Sequence, residues 1–61
     1  MKDRNQLILD NVRASAREAA HAFNDGEAGR ALLILVACTT DHPGFDEVIA
    51  REFSRVVGEE G

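Results

Sequence analysis

Sixty-one residues, with eleven Asp plus Glu against seven Lys plus Arg and a formal charge of −4, make one small acidic domain at most. One cysteine excludes an internal disulfide, and the scatter of His21, Cys38 and His42 lacks the paired spacing of a metal site. The negative balance disfavours phosphate backbones and anionic membrane surfaces, and the apolar run from Ala31 to Cys38 falls far short of the roughly 20 residues a spanning helix needs.

A lone Cys in an apolar run, with no stretch that reads as a targeting segment, predicts a reducing cytoplasmic setting. No cofactor is expected. The charges are unevenly placed. Residues 1–24 carry four basic side chains against three acidic ones, and residues 25–61 carry three against eight.

The first predicted helix spans about residues 4–23. Asp3 is a good N-cap, with Gln6 three residues on as in a capping box. Leu9, Val12, Ala16, Ala19 and Phe23 follow in steps of 3, 4, 3 and 4, a heptad-like seam that Leu7 and Ile8 widen. Alanines in the middle of the seam let a neighbouring helix approach closely. Asn24, Asp25 and Gly26 break the pattern, and Gly26 suits a left-handed C-terminal turn.

The second helix is expected over about 27–39, capped by Asn24 with Glu27 or by Asp25 alone. Its centre, Ala31-Leu32-Leu33-Ile34-Leu35-Val36-Ala37-Cys38, is apolar on every side. A buried strand would read the same way, but no second strand exists to satisfy its backbone groups. A helix apolar all round is a buried helix, and two flanking helices in one short chain cannot easily cover it. Association with a second copy follows.

The third helix is expected over about 44–57. Pro43 fixes φ for its first turn, and Asp46 and Glu47 favour the positive end of its dipole. Phe45, Val48, Ile49, Phe53, Val56 and Val57 form an apolar stripe opposite Glu47, Arg51, Ser54 and Arg55. Gly58 is expected to end it, leaving Glu59-Glu60-Gly61 as a frayed tail.

Gly26, Ala31 and Pro43 stand five and seventeen residues apart counted from the glycine, and Ala19 and Leu35 supply small and large residues around them. In this, residues 15–57 resemble a single tetratricopeptide repeat plus the following helix. The resemblance implies a peptide- or protein-binding scaffold and carries over no specific binding residue. It departs from the family at Ser15, Glu18 and Ala22, where bulk is usual, and in having one repeat where about three make a stable array.

Several constellations have bland explanations. His21 lies three residues after Glu18 and four before Asp25, but a solvated helix face accounts for it without a nucleophile. His42 sits in a capping segment. Cys38 lies near a helix's negative end, where a thiol is not activated, and reads as a buried structural cysteine. Thr39-Thr40-Asp41 reads as a helix end. No titratable pair has the spacing that catalysis needs, so no enzyme is expected.

The sequence therefore reads as an all-α, three-helix antiparallel hairpin or bundle that dimerises and acts by protein–protein contact, as an adaptor or stoichiometric inhibitor. Its expected partners are a second copy and an unidentified protein. The expected interface residues are Leu7, Ile8, Leu33, Val36, Phe45 and Phe53. The basic face of helix one, with Arg4, Arg13 and Arg17, is a solvated face able to dock an acidic partner. Ala-, Arg- and Gly-rich usage points to a bacterial or phage source. The alternative is a helix-turn-helix DNA-binding regulator or antitoxin-like repressor built on helices two and three, against which Asp46 and Glu47 place negative charge where bases and phosphates would lie.

Overall fold

The computed structural model describes residues 3–60, and the side chains of residues 3–59. Among these the chain forms three helices, α1 (Arg4–Asn24), α2 (Ala28–Asp41) and α3 (Asp46–Glu60), and no strand. The all-α class and the three-helix bundle are as the sequence reads.

Asp3 starts α1 from an extended backbone, and its carboxylate accepts the Gln6 backbone N–H at 2.8 Å. The reciprocal half of the capping box is not made: the Gln6 side-chain amide donates instead to Asp10 Oδ1 at 3.1 Å. Gly26 closes the helix at φ 87°, where a Cβ would be strained. Its N–H donates to the Phe23 carbonyl at 3.1 Å, and the Glu27 N–H reaches back to the Ala22 carbonyl at 2.9 Å. Those two bonds are the nested pair that glycine-terminated helices use to satisfy their last carbonyls.

That tight closure changes how α2 begins. Asn24 is the last residue of α1 and Asp25 its C-cap, so neither caps the next helix. Glu27 stands at the N-cap of α2 and makes no side-chain cap bond. At the other end α2 runs two residues beyond the expected Thr39, and the His42 N–H donates to the Cys38 carbonyl at 2.9 Å.

Pro43 does not open α3. Gly44 follows it at φ 94° and turns the chain, and the first carbonyl to join α3 is that of Phe45, which accepts the Ile49 N–H at 3.0 Å. Nor does Gly58 end the helix, which continues to Glu60. Glycine inside a helix costs roughly 1 kcal/mol relative to alanine. Here the Arg55–Glu59 pair at 2.7 Å, one turn apart, spans it. Gly61, part of the expected frayed tail, lies outside the described residues.

Both α2 and α3 pack along α1 and touch each other only slightly. One buried cluster joins Val12, Ala16, Cys38 and Ile49, with Ile8, Leu35, Phe45 and Val48 against it. A second joins Ala19, Ala22 and Ala31, with Ile34, Leu35 and Phe53. Ala31 therefore lies level with the second half of α1 and Cys38 with the first, so α2 runs antiparallel to α1. Ile49 and Phe53 advance in the same sense as Val12 and Ala19, so α3 returns parallel to it.

The alanine seam of α1 decides the character of this core. Among the described residues, Val12 is the only large side chain that is completely buried. The other fully enclosed positions, Ala16, Ala19 and Ala20, bring methyl groups. Close helix approach is gained at the expense of apolar volume, and a domain of this size has little to spare.

Candidate interaction surfaces

What the core lacks in bulk, the surface of α2 displays. Helical periodicity turns Ala31, Ile34, Leu35 and Cys38 toward α1, and it turns Gly29, Leu33, Val36 and Thr40 away. Leu33 is 71 % exposed, Leu32 61 % and Val36 54 %. These three side chains adjoin on one face, with Ala37 exposed beside them. The seam Gly29, Leu33, Val36, Thr40 advances in steps of 4, 3 and 4, the spacing by which one helix meets another side by side. Arg30 and Asp41 flank it near its two ends, on the same side.

Of the six residues expected at an interface, Leu7, Leu33 and Val36 are exposed. Ile8 and Phe45 pack against the Val12 cluster, and Phe53 packs against the alanine cluster. Phe53 also meets the Phe23 ring edge-on, with centroids 5.8 Å apart and planes at 70°. Intramolecular packing thus takes up three of the six. Leu32 and Phe23 belong to the exposed apolar set; the sequence reading named neither as an interface residue and placed Phe23 in the seam of α1. Amphipathic reading assigns a helix one wet face, and the run Ala31–Cys38 at the centre of α2 gives no polar residue by which to choose it.

A second feature lies on the α1–α3 side. Arg13 and Arg17, one turn apart on α1, and Arg51 and Arg55, one turn apart on α3, line a single cleft of about 340 Å³ over Val48. Glu52 lies at its centre with its side chain only 13 % exposed. It accepts hydrogen bonds from Arg55 Nη2 at 2.5 Å and Nε at 3.4 Å, and Arg17 stands 3.6 Å away. Hydrogen bonding from Arg55 holds the Glu52 carboxyl below the usual range; partial burial opposes this, and the charges of Arg55, Arg17 and Arg13 reinforce it. Arg51 pairs outward with Glu47 at 2.6 Å, and Arg55 with Glu59. Arg13 has no ion pair within 4 Å among the described residues. Arg4 is exposed and does not line the cleft.

A third opening, an apolar groove of about 280 Å³, runs between α2 and α3 over Leu35, Ile49, Ala50 and Phe53. It exists because those two helices diverge over α1. Cys38 is buried, free and turned into the core, so it does not lie on the face that a disulfide between α2 helices would need. His21 is exposed and His42 half-buried. Among the described residues no group of three or more His, Cys, Asp or Glu could hold a metal ion, and no helix is long and apolar enough to cross a membrane.

Compared with known proteins, the chain matches no protein-family model, no curated protein and no solved structure.

Proposed function

We propose that this chain is a non-enzymatic interaction module whose α2 helix pairs with α2 of a second copy, and that the pair engages another protein as an adaptor or modulator. The observation that carries this reading is the inversion of bulk: alanines fill the core while Leu32, Leu33 and Val36 stand in solvent. The tetratricopeptide-like hairpin, with Gly26 in its turn and Ala31 at the helix crossing, supports a scaffold in the same way.

The seam itself favours a second copy in antiparallel register. Small residues, Gly29 and Thr40, bracket Leu33 and Val36 almost symmetrically. An antiparallel pair about a two-fold axis sets Leu33 against Val36 of the other copy and Gly29 against Thr40. It also brings Arg30 of one copy beside Asp41 of the other, at both ends of one flank. Among the described residues Arg30 has only loose, exposed partners, Glu18 at 3.8 Å and Glu27 at 3.9 Å, so it is able to swing across. A parallel pair offers neither match.

Magnitudes place the affinity. Six such side chains, three per copy, gain roughly 1–2 kcal/mol each on burial, or about 6–12 kcal/mol in all. Association costs on the order of 4–15 kcal/mol in lost freedom. The dimer is therefore concentration-dependent rather than permanent.

Sedimentation equilibrium across a concentration series tests it. The native chain is expected to move between monomer and dimer, Arg30→Asp to shift the balance to monomer, and Arg30→Asp with Asp41→Arg to restore the dimer. A chain that stays monomeric at millimolar concentration refutes self-pairing and leaves the face to another protein. Salt-sensitive retention on duplex DNA, abolished by substitutions on α3, would instead establish the helix-turn-helix alternative.

A further inference from the structure

The seam that pairs α2 with its copy uses Leu33 and Val36 and leaves Leu32, the third exposed large side chain of that helix, to one side. The apolar groove between α2 and α3 opens on that same side. Leu35 and Thr39 form its α2 wall, and Leu32 precedes them by three and seven residues on one line of the helix. Arg30, Ala37 and Asp41 follow the opposite flank of α2.

Symmetry decides where Leu32 goes. A two-fold axis relating antiparallel helices stands perpendicular to both and to the line joining them, so each flank stays on its own side of the pair. The groove flanks of the two copies therefore adjoin. With Leu33 set against Val36, Leu32 of one copy lies level with Ala37 of the other. That level is midway between Leu35 and Thr39, about 3 Å along the axis from each. On α3 the same level is Ala50: its neighbour Ile49 shares a buried cluster with Cys38, while Phe53, a turn further on, packs beside Ile34 and Leu35. Ala50 and Ser54 are small and exposed, which leaves the mouth of the groove open to a leucine. Side chains that flank a helix–helix seam reach across it to the facing helix.

We infer that Leu32 of each copy closes the α2–α3 groove of the other, so that α3 belongs to the pairing surface and each groove is completed only by the second chain. This rests on the α2 pairing proposed above and deepens it. The lining suits an aliphatic side chain: Leu35, Ile49 and Phe53 form the floor, and the one charged group, Asp46, stands exposed at the start of α3. The same contact removes Leu32 from water, which the seam by itself does not do.

The test uses the chain itself. An equimolar mixture of ¹³C-labelled and unlabelled protein at millimolar concentration is examined by isotope-filtered nuclear Overhauser spectroscopy, which reports contacts between copies alone. Cross-peaks are expected from the Leu32 methyls of one copy to the Ala50 and Thr39 methyls of the other, beside those joining Leu33 and Val36. In sedimentation equilibrium, Leu32→Ala and Ala50→Gln should each raise the dissociation constant of the dimer by roughly tenfold or more, because every change acts twice per pair. Both positions are exposed in the single chain, so circular dichroism of the variants should match the native protein. A dimer that shows Leu33–Val36 cross-peaks but none from Leu32 to Ala50 or Thr39 overturns this inference and leaves the α2 pairing standing. Dissociation constants unchanged in both variants do the same. A chain that stays monomeric at this concentration overturns the pairing and the groove contact together.

Discussion

Phe23, at the end of α1, and Phe53, in the middle of α3, meet edge to face with their ring centroids 5.8 Å apart. No other aromatic pair joins these helices among the described residues, and the contact sits where the alanine seam offers little else. Phe53 is the inner member and packs on Ala19 and Ala22, while Phe23 is 47 % exposed.

Phe53→Ala should therefore cost about 2–3 kcal/mol, at or below the lower end for a buried aromatic because one side of the ring is wet. Phe23→Ala should cost about 1 kcal/mol or less, and the double variant should fall short of the sum by the coupling between the rings. Urea unfolding of the three variants under one condition measures all of these.

Leu33→Glu and Val36→Glu separate association from folding. Read from sequence alone, with α2 apolar on every side, either change threatens to unfold the chain. In the structure both side chains stand outside the core, at 71 % and 54 % exposure, so each variant should keep its helical circular dichroism. The dimer, not the fold, should be lost. Loss of helicity at low concentration would show that α2 folds only with its outer face covered.

Acid should act on the hydrogen bonds between Glu52 and Arg55. The Glu52 carboxyl is held below the ordinary glutamate range in the folded chain, chiefly by hydrogen bonding from Arg55. A carboxyl with a depressed folded pKa contributes stability at and above the unfolded pKa, and that contribution fades as pH falls through the folded pKa. Stability should accordingly decline below about pH 4.5, and Glu52→Gln should flatten that decline while lowering stability at neutral pH. Thermal unfolding of the two proteins between neutral and acid pH compares the slopes.

Gly26, at a helix end, and Gly58, inside a helix, should respond oppositely. Gly26 holds φ 87°, so Gly26→Ala should destabilise by about 1 kcal/mol through backbone strain alone, since open space surrounds it. Gly58 lies inside α3 at an ordinary helical φ, also in open space. Gly58→Ala should stabilise by roughly 0.5–1 kcal/mol. Chemical denaturation distinguishes the signs.

Much of the fold is legible locally. Asp3 marks the start of α1 because its short carboxylate reaches a free N–H without help from the rest of the chain, and Gly26 marks the end because left-handed backbone excludes other residues. Pro43 and Gly58 misplace the ends of α3 because their signals are weaker than their surroundings. Gly44 turns the chain after the proline, and an ion pair carries the helix past the glycine.

The sequence by itself determined three helices, their order, and a middle helix with more apolar surface than it can hide, since periodicity and capping act within a few residues. Only the tertiary structure decided which side of α2 stays wet, because that depends on α2 and α3 both packing on the alanine seam of α1. The same packing set Arg13 and Arg17 beside Arg51 and Arg55, over thirty positions away along the chain. Proximity between distant residues follows from how helices stack, and no spacing within either helix encodes it.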